Sequence, residues 1–164
     1  MYLGWGSSMK MLRALLFAVL CLGTVEAQTY KAVFDCSSDD ADYIKSRMWL
    51  VGKTMDMIEA KGDKADFVIT LHGGCVPMVS NEYKEIVEDE DIKSIGKAQD
   101  YLRDLATKRK VRVIACAMSL ASNAIEIKEV LPFVKIVPNS FIDTIGYQNR
   151  GYAMMPFTKQ AQND

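Results

Sequence analysis

Five short apolar runs, each separated from the next by a stretch of helical periodicity, constrain this chain more than any other feature of its sequence. The clearest is Asp66 to His72, where Phe67, Val68, Ile69 and Leu71 follow almost without a polar break, as strands covered on both faces do. Thr29 to Cys36, Val111 to Ala115, Phe133 to Val137 and Tyr152 to Phe157 read as four more strands. After the first strand, Ile44, Met48, Val51, Met55 and Ile58 recur at steps of four and three, the signature of a helix with one apolar face. The cluster Ser37, Ser38, Asp39 and Asp40 can cap its start, and Gly62 closes it. Ile92, Ile95, Leu102 and Leu105 mark a second amphipathic helix ending near Lys108, preceded by an acidic, partly helical segment from Asn81 to Asp91. A short helix is expected at Met118 to Ala124 and a helical turn at Glu126 to Leu131. Another helix, capped by Asn139 or Ser140, should run through Gln148 to a left-handed end at Gly151. Right-handed crossovers lay each helix against the sheet, so the expected fold is α/β, a three-layer sandwich around a five-stranded, mainly parallel sheet.

The first 27 residues stand outside this pattern. Lys10 and Arg13 give a positive start, Ala14 to Gly23 is apolar, and Val25, Glu26 and Ala27 form a cleavage site before Gln28, which together read as a secretory signal. The apolar run falls short of the roughly 20 residues that span a bilayer, so no stable membrane anchor is expected. Met9 followed by Lys10 is an alternative start to Met1, and Cys21 after the bulky Leu20 fits a lipidation signal poorly. One domain, residues 28 to 164, remains, and a hydrophobic content of 49% suits a globular core.

The charge balance of 20 basic against 21 acidic residues implies no polyanion partner such as nucleic acid. The one basic cluster, Lys108, Arg109, Lys110 and Arg112, falls where a helix ends and where cations complement its dipole.

Beyond the leader lie three cysteines, Cys36, Cys75 and Cys116, too few for a disulfide scaffold and odd in number, so at least one is unpaired within a monomer. Ligands of parallel sheets bind beyond the carboxyl ends of the strands, where His72 with Gly73, Cys116, and Asn139 with Ser140 are all expected. Cys116, between a strand and a helix start, reads either as a reactive thiolate or as a small buried hydrophobe. His72, the single histidine, either orients a thiol or simply bonds to backbone. Cys75 either resolves an oxidised Cys116 or is a bystander in the loop, while Cys36 reads as core or rim. The methionines, among them Met48, Met55, Met118, Met154 and Met155, read chiefly as core filler. Cys75, Cys116 and His72 also form a donor set that would suit a soft metal such as copper, which leaves a binding module without turnover as an alternative.

The run I-A-C-A-M-S-L around Cys116, V-L-P-F-V-K-I-V-P-N-S after it, Q-N-R-G-Y-A-M-M-P near the end and L-H-G-G at residues 71 to 74 together resemble the DsrE/DsrF-like family. The resemblance implies a flavodoxin-like or Rossmann-like fold that assembles into homo-oligomers, trimers or hexamers, with the strand-end cysteine near a subunit boundary. It implies further that Cys116 accepts sulfane sulfur as a persulfide, with His72 beside it. Cys75 is not assigned by the family pattern and is expected to assist only as a loop thiol, the expected partners are sulfur donor and acceptor proteins, and no cofactor is expected. The leader implies export and the resemblance implies a bacterial setting, so the expected location is the bacterial periplasm.

Overall fold

The computed structural model describes residues 26–157. The expected signal peptide and the polar tail from Thr158 lie essentially outside these residues. Strands β1 (Thr29–Cys36), β2 (Lys64–Leu71), β3 (Arg112–Cys116), β4 (Val134–Val137) and β5 (Ala153–Phe157) alternate with helices α1 (Ala41–Glu59), α2 (Ile92–Lys108), α3 (Ala117–Ser122) and α4 (Ser140–Asn149). The sheet order is β4-β3-β2-β1-β5, and each neighbouring pair is parallel. The expected α/β architecture is present, and all-parallel pairing sharpens the expected mainly parallel sheet.

The strand order dictates the layers. From β1 to β3 the chain advances in one direction, so right-handed crossovers put α1 and α2 on one face, where they pack against each other. From β4 the chain returns past the whole sheet to β5, which puts α4 on the opposite face, across β1, β2 and β3.

Local sequence sets the element ends. The Asp40 side chain accepts from the Tyr43 N–H at 2.9 Å and caps α1, whose Ile44, Met48, Val51 and Met55 are buried as their spacing predicted. Helix α2 buries Ile95, Ala98, Gln99, Leu102 and Leu105. The segment from Asn81 to Asp91 is less helical than its sequence suggested, with one 3₁₀ turn at Tyr83–Glu85. The turn expected at Glu126 to Leu131 is likewise a 3₁₀ turn, Ile127–Glu129, held by a capping box between Glu126 and Glu129. Met48 and Met55 are core residues, whereas Met118, Met154 and Met155 are exposed, a correction to their reading as filler.

Three of the four residues of the basic cluster are paired within the molecule. Arg109 reaches back to Asp56 and Glu59 of α1, both at 2.8 Å, and Lys108 pairs with Asp104 at 2.8 Å. Arg112 pairs with Asp66 and receives the Tyr147 and Tyr152 rings against its guanidinium.

Candidate functional site

The pleat decides what gathers at the carboxyl end of the sheet. Ala32, Phe34 and Cys36 of β1, with Phe67, Ile69 and Leu71 of β2, belong to the core under α1 and α2. Val33 and Val68 belong to the smaller core under α4. Since successive side chains alternate between faces, Asp35, Thr70, His72 and Cys116 all project to the α4 side. The turn that follows β2 needs its two glycines: Gly73 has φ +52°, and a Cβ on Gly74 would stand 2.6 Å from Asp39 Cβ.

Cys116 ends β3 and is the N-cap of α3, with only 6% of its surface exposed. Burial pushes its thiol up. The backbone N–H of Ser140, the N–H and hydroxyl of Ser119 and the N–H of Met118 push it down by more, to about 7. The sulfur lies 3.8 Å from the Pro138 carbonyl, which can accept from the S–H when the thiol is protonated. Ser119 ties this helix to the turn after β2, because its Oγ accepts from the Gly73 N–H at 3.0 Å and Asn123 Nδ2 donates to the Gly73 carbonyl at 3.4 Å. Ser140 is fully enclosed, and its Oγ has no hydrogen-bond partner among the described residues.

His72 Nε2 lies 3.1 Å from Asp35 Oδ2, and the Thr70 hydroxyl donates to Asp35 Oδ1 at 2.7 Å. Thr144 of α4 donates in turn to Thr70 Oγ1 at 3.4 Å, and Phe141 packs against the His72 ring with centroids 4.9 Å apart. The hydrogen bond to Asp35 raises the His72 pKa above 6.5 against the opposing effect of burial, and the charges of Asp35 and Cys116 add to the rise. Burial would raise Asp35, but the bonds from His72 and Thr70 and the His72 charge outweigh it and leave the carboxyl below its ordinary value.

Of the positions expected at the strand ends, His72, Cys116 and Ser140 are brought together: with Leu71 opposite Ala115 in the parallel β2–β3 register, His72 and Cys116 follow side by side on one face, the charge of Cys116 acts on His72, and the Ser140 N–H points to the Cys116 sulfur. Cys75 is not among them. Its sulfur is bonded to Cys36, with Cα atoms 5.9 Å apart, and both residues are buried on the α1–α2 side. This corrects two readings, since a bonded Cys75 neither resolves Cys116 nor lends a thiolate to a soft metal. It also corrects Cys36, which is more than a core residue. The pairing follows from register: Cys36 stands opposite Leu71, so the turn beyond β2 brings Cys75 over the end of β1. Among the described residues no three His, Cys, Asp or Glu side chains converge as a metal site.

Asp35, Thr70 and Ser119 were not singled out from sequence. Asp35 had a signal, because once β1 and β2 pair in parallel with Cys36 opposite Leu71, residues 35, 70 and 72 must share a face. Ser119 stands three residues past Cys116, where the first turn of a helix returns a side chain toward its cap.

Fold and site together define a class: α/β domains with a parallel sheet that keep one buried, acidified thiol at the strand ends beside a histidine–carboxylate pair. The sequence profile of the DsrE/DsrF-like family matches residues 31–157, and the chain belongs to that family. It is 40% identical over 151 residues to an uncharacterized protein of Aquifex aeolicus (strain VF5), a match that takes in 92% of this chain and 66% of that relative. The chain thus spans slightly less than two thirds of the relative's length. The solved structure of a protein of unknown function from Methanobacterium thermoautotrophicum superposes with a TM-score of 0.60, covering 77% of this chain and 98% of that one. At 17% identity that likeness concerns the fold.

Proposed function

We propose that this protein carries sulfane sulfur as a persulfide on Cys116, as a relay component between a donor and an acceptor rather than as an enzyme acting on a small substrate. The observation that carries this reading is the surroundings of the sulfur. Four hydrogen-bond donors are directed at it and hold its pKa at about 7, so a large share is thiolate, the nucleophilic form, at neutral pH. The thiolate attacks the outer sulfur of a donor persulfide R–S–SH, the S–S bond of the donor breaks, and Cys116–S–SH forms as R–S⁻ leaves. Attack by an acceptor thiolate on the outer sulfur reverses the roles and regenerates Cys116.

The remaining expectations enter as parts of the same proposal. Phe141, Ile142 and Ile145 are 55%, 69% and 57% exposed on the outer side of α4. Such a face supports burial against further copies in a trimer or hexamer, and Phe141 joins it to His72 at the site. The Cys36–Cys75 disulfide and the leader-like first 27 residues support export to an oxidising compartment, the bacterial periplasm.

Expressing the full chain in a bacterial host, and exposing it and a Cys116→Ser variant to glutathione persulfide, tests the reading by intact mass. One added sulfur on the wild type and none on the variant is expected; equal gain, or none on either, overturns it. The same mass should begin at Gln28, and retention of residues 1 to 27 would remove the export proposal. Light scattering of the wild type should give three or six times the monomer mass, and a monomer would overturn the assembly.

A further inference from the structure

The groups that give Cys116 its low pKa are hydrogen-bond donors from α3 and the start of α4, yet a charged pair stands beside them that the sulfur step above does not use. We infer that Asp35 is the positioning residue of the thiol site: it holds His72 as an imidazolium with one fixed ring nitrogen free, so that His72 stabilises the Cys116 thiolate and moves the proton during sulfur transfer. The role given to the proton rests on the persulfide reading, whereas the influence on the thiolate does not.

The geometry leaves this pair little freedom. Asp35 Oδ2 is engaged by His72 Nε2 at 3.1 Å and Oδ1 by the Thr70 hydroxyl at 2.7 Å, and the two side chains are only 13% and 15% exposed. Thr70 is completely buried and receives a second hydroxyl from Thr144, which couples the carboxylate to α4. Phe141 from the same helix packs against the ring in a T-shaped contact. With Nε2 spent on Asp35, Nδ1 is the ring nitrogen left for another partner. The charges that act on His72 are those of Asp35 from β1 and Cys116 from β3, while α4 contributes the uncharged Phe141 and Thr144.

Stability gives no reason to place an ion pair here. Desolvating two charges costs about as much as their attraction returns, so an apolar pair of similar size would serve the fold as well or better. The neighbouring strand positions on the opposite face hold Phe34, Ile69 and Leu71. A proton carrier, by contrast, has a use. When Cys116–S⁻ takes the outer sulfur of R–S–SH, the imidazolium protonates the departing R–S⁻ to R–SH. Neutral His72 then recovers a proton from Cys116–S–SH, leaving Cys116–S–S⁻, so the proton of the donor persulfide ends on the leaving thiol and no other reagent is consumed.

The test is the pH dependence of Cys116 alkylation by iodoacetamide in the full protein and in an Asp35→Asn variant, read together with the imidazole proton resonance. Since the chain has a single histidine, that resonance needs no assignment. In the wild type the alkylation midpoint should lie near 7. In Asp35→Asn it should rise by roughly one pH unit with the limiting rate at high pH unchanged, while the His72 midpoint falls, as expected when an ion-paired partner loses its charge. Should that variant not fold, Thr70→Val, which removes one hydrogen bond from Asp35, should shift both midpoints in the same directions by less. A folded Asp35→Asn, or Thr70→Val in its place, with both midpoints unmoved would overturn the inference, because a merely structural carboxylate would alter stability alone. Failure of the carrier reading is separate: wild type that takes up no sulfur but shows these shifts would refute the relay and leave Asp35 as the positioning residue.

Discussion

On the α1–α2 side the strands present Phe34, Phe67, Ile69 and Leu71 to two long helices, and the sulfurs of Cys36 and Cys75 are sealed in a bond. On the α4 side the same strands, one residue out of step, present Asp35, Thr70, His72 and the free thiol of Cys116 to one ten-residue helix. A shift of one residue along a strand exchanges these faces, so the difference between an inert sulfur and an acidified one is a matter of pleat. The thick face supplies burial and cross-linking. The thin face can hold polar groups because a single helix leaves fewer apolar contacts to lose.

If the faces are as separate as this suggests, removing the disulfide should cost stability and leave the thiol as it is. The bond closes a loop with a sequence separation of 39, and its loss in a Cys36→Ala/Cys75→Ala variant should cost about 4 kcal/mol on the loop-entropy scale. Urea unfolding measures the cost, and iodoacetamide alkylation should still give a Cys116 midpoint near 7. A shifted midpoint would break the comparison, and the route would be known. The turn anchored by Cys75 carries His72 and also Gly73, whose N–H holds Ser119.

The layers were legible in the sequence because they rest on local pattern. Ile44, Met48, Val51 and Met55 announce the buried stripe of α1, and Phe67 to Leu71 announce a strand covered on both faces. Cys116, His72 and Ser140 were placed near one another by a topological rule about strand ends, which needs no side-chain detail. What escaped depended on contacts between distant segments. The Cys36–Cys75 bond requires the register of β1 against β2, and nothing in a separation of 39 residues favours that partner over Cys116. Asp35 gains a meaning only once Thr70 and His72 are known to stand beside it. The exposure of Met154 and Met155 depends likewise on the last strand, β5, lying at the edge of the sheet.

A smaller effect sharpens the comparison further, because Ser119 touches both the thiol and the turn. Its hydroxyl is one of four donors to the Cys116 sulfur, and its oxygen accepts from the Gly73 N–H. Hydrogen bonds to charged groups contribute about 1.5 kcal/mol at the low end, so Ser119→Ala should raise the thiol midpoint by roughly one unit from its value near 7. The sign of the stability change follows from the depressed pKa. A thiol that titrates lower when folded stabilises the fold most above its unfolded value of 9.0, and that contribution is lost as the pH falls through the folded value. Ser119→Ala should therefore destabilise the protein by about 1 kcal/mol more in urea titrations at about pH 9.5 than at about pH 6, where the sulfur is protonated in either protein. A cost equal at both pH values would assign Ser119 to the Gly73 turn alone and leave the acidity of the thiol to the three backbone N–H groups.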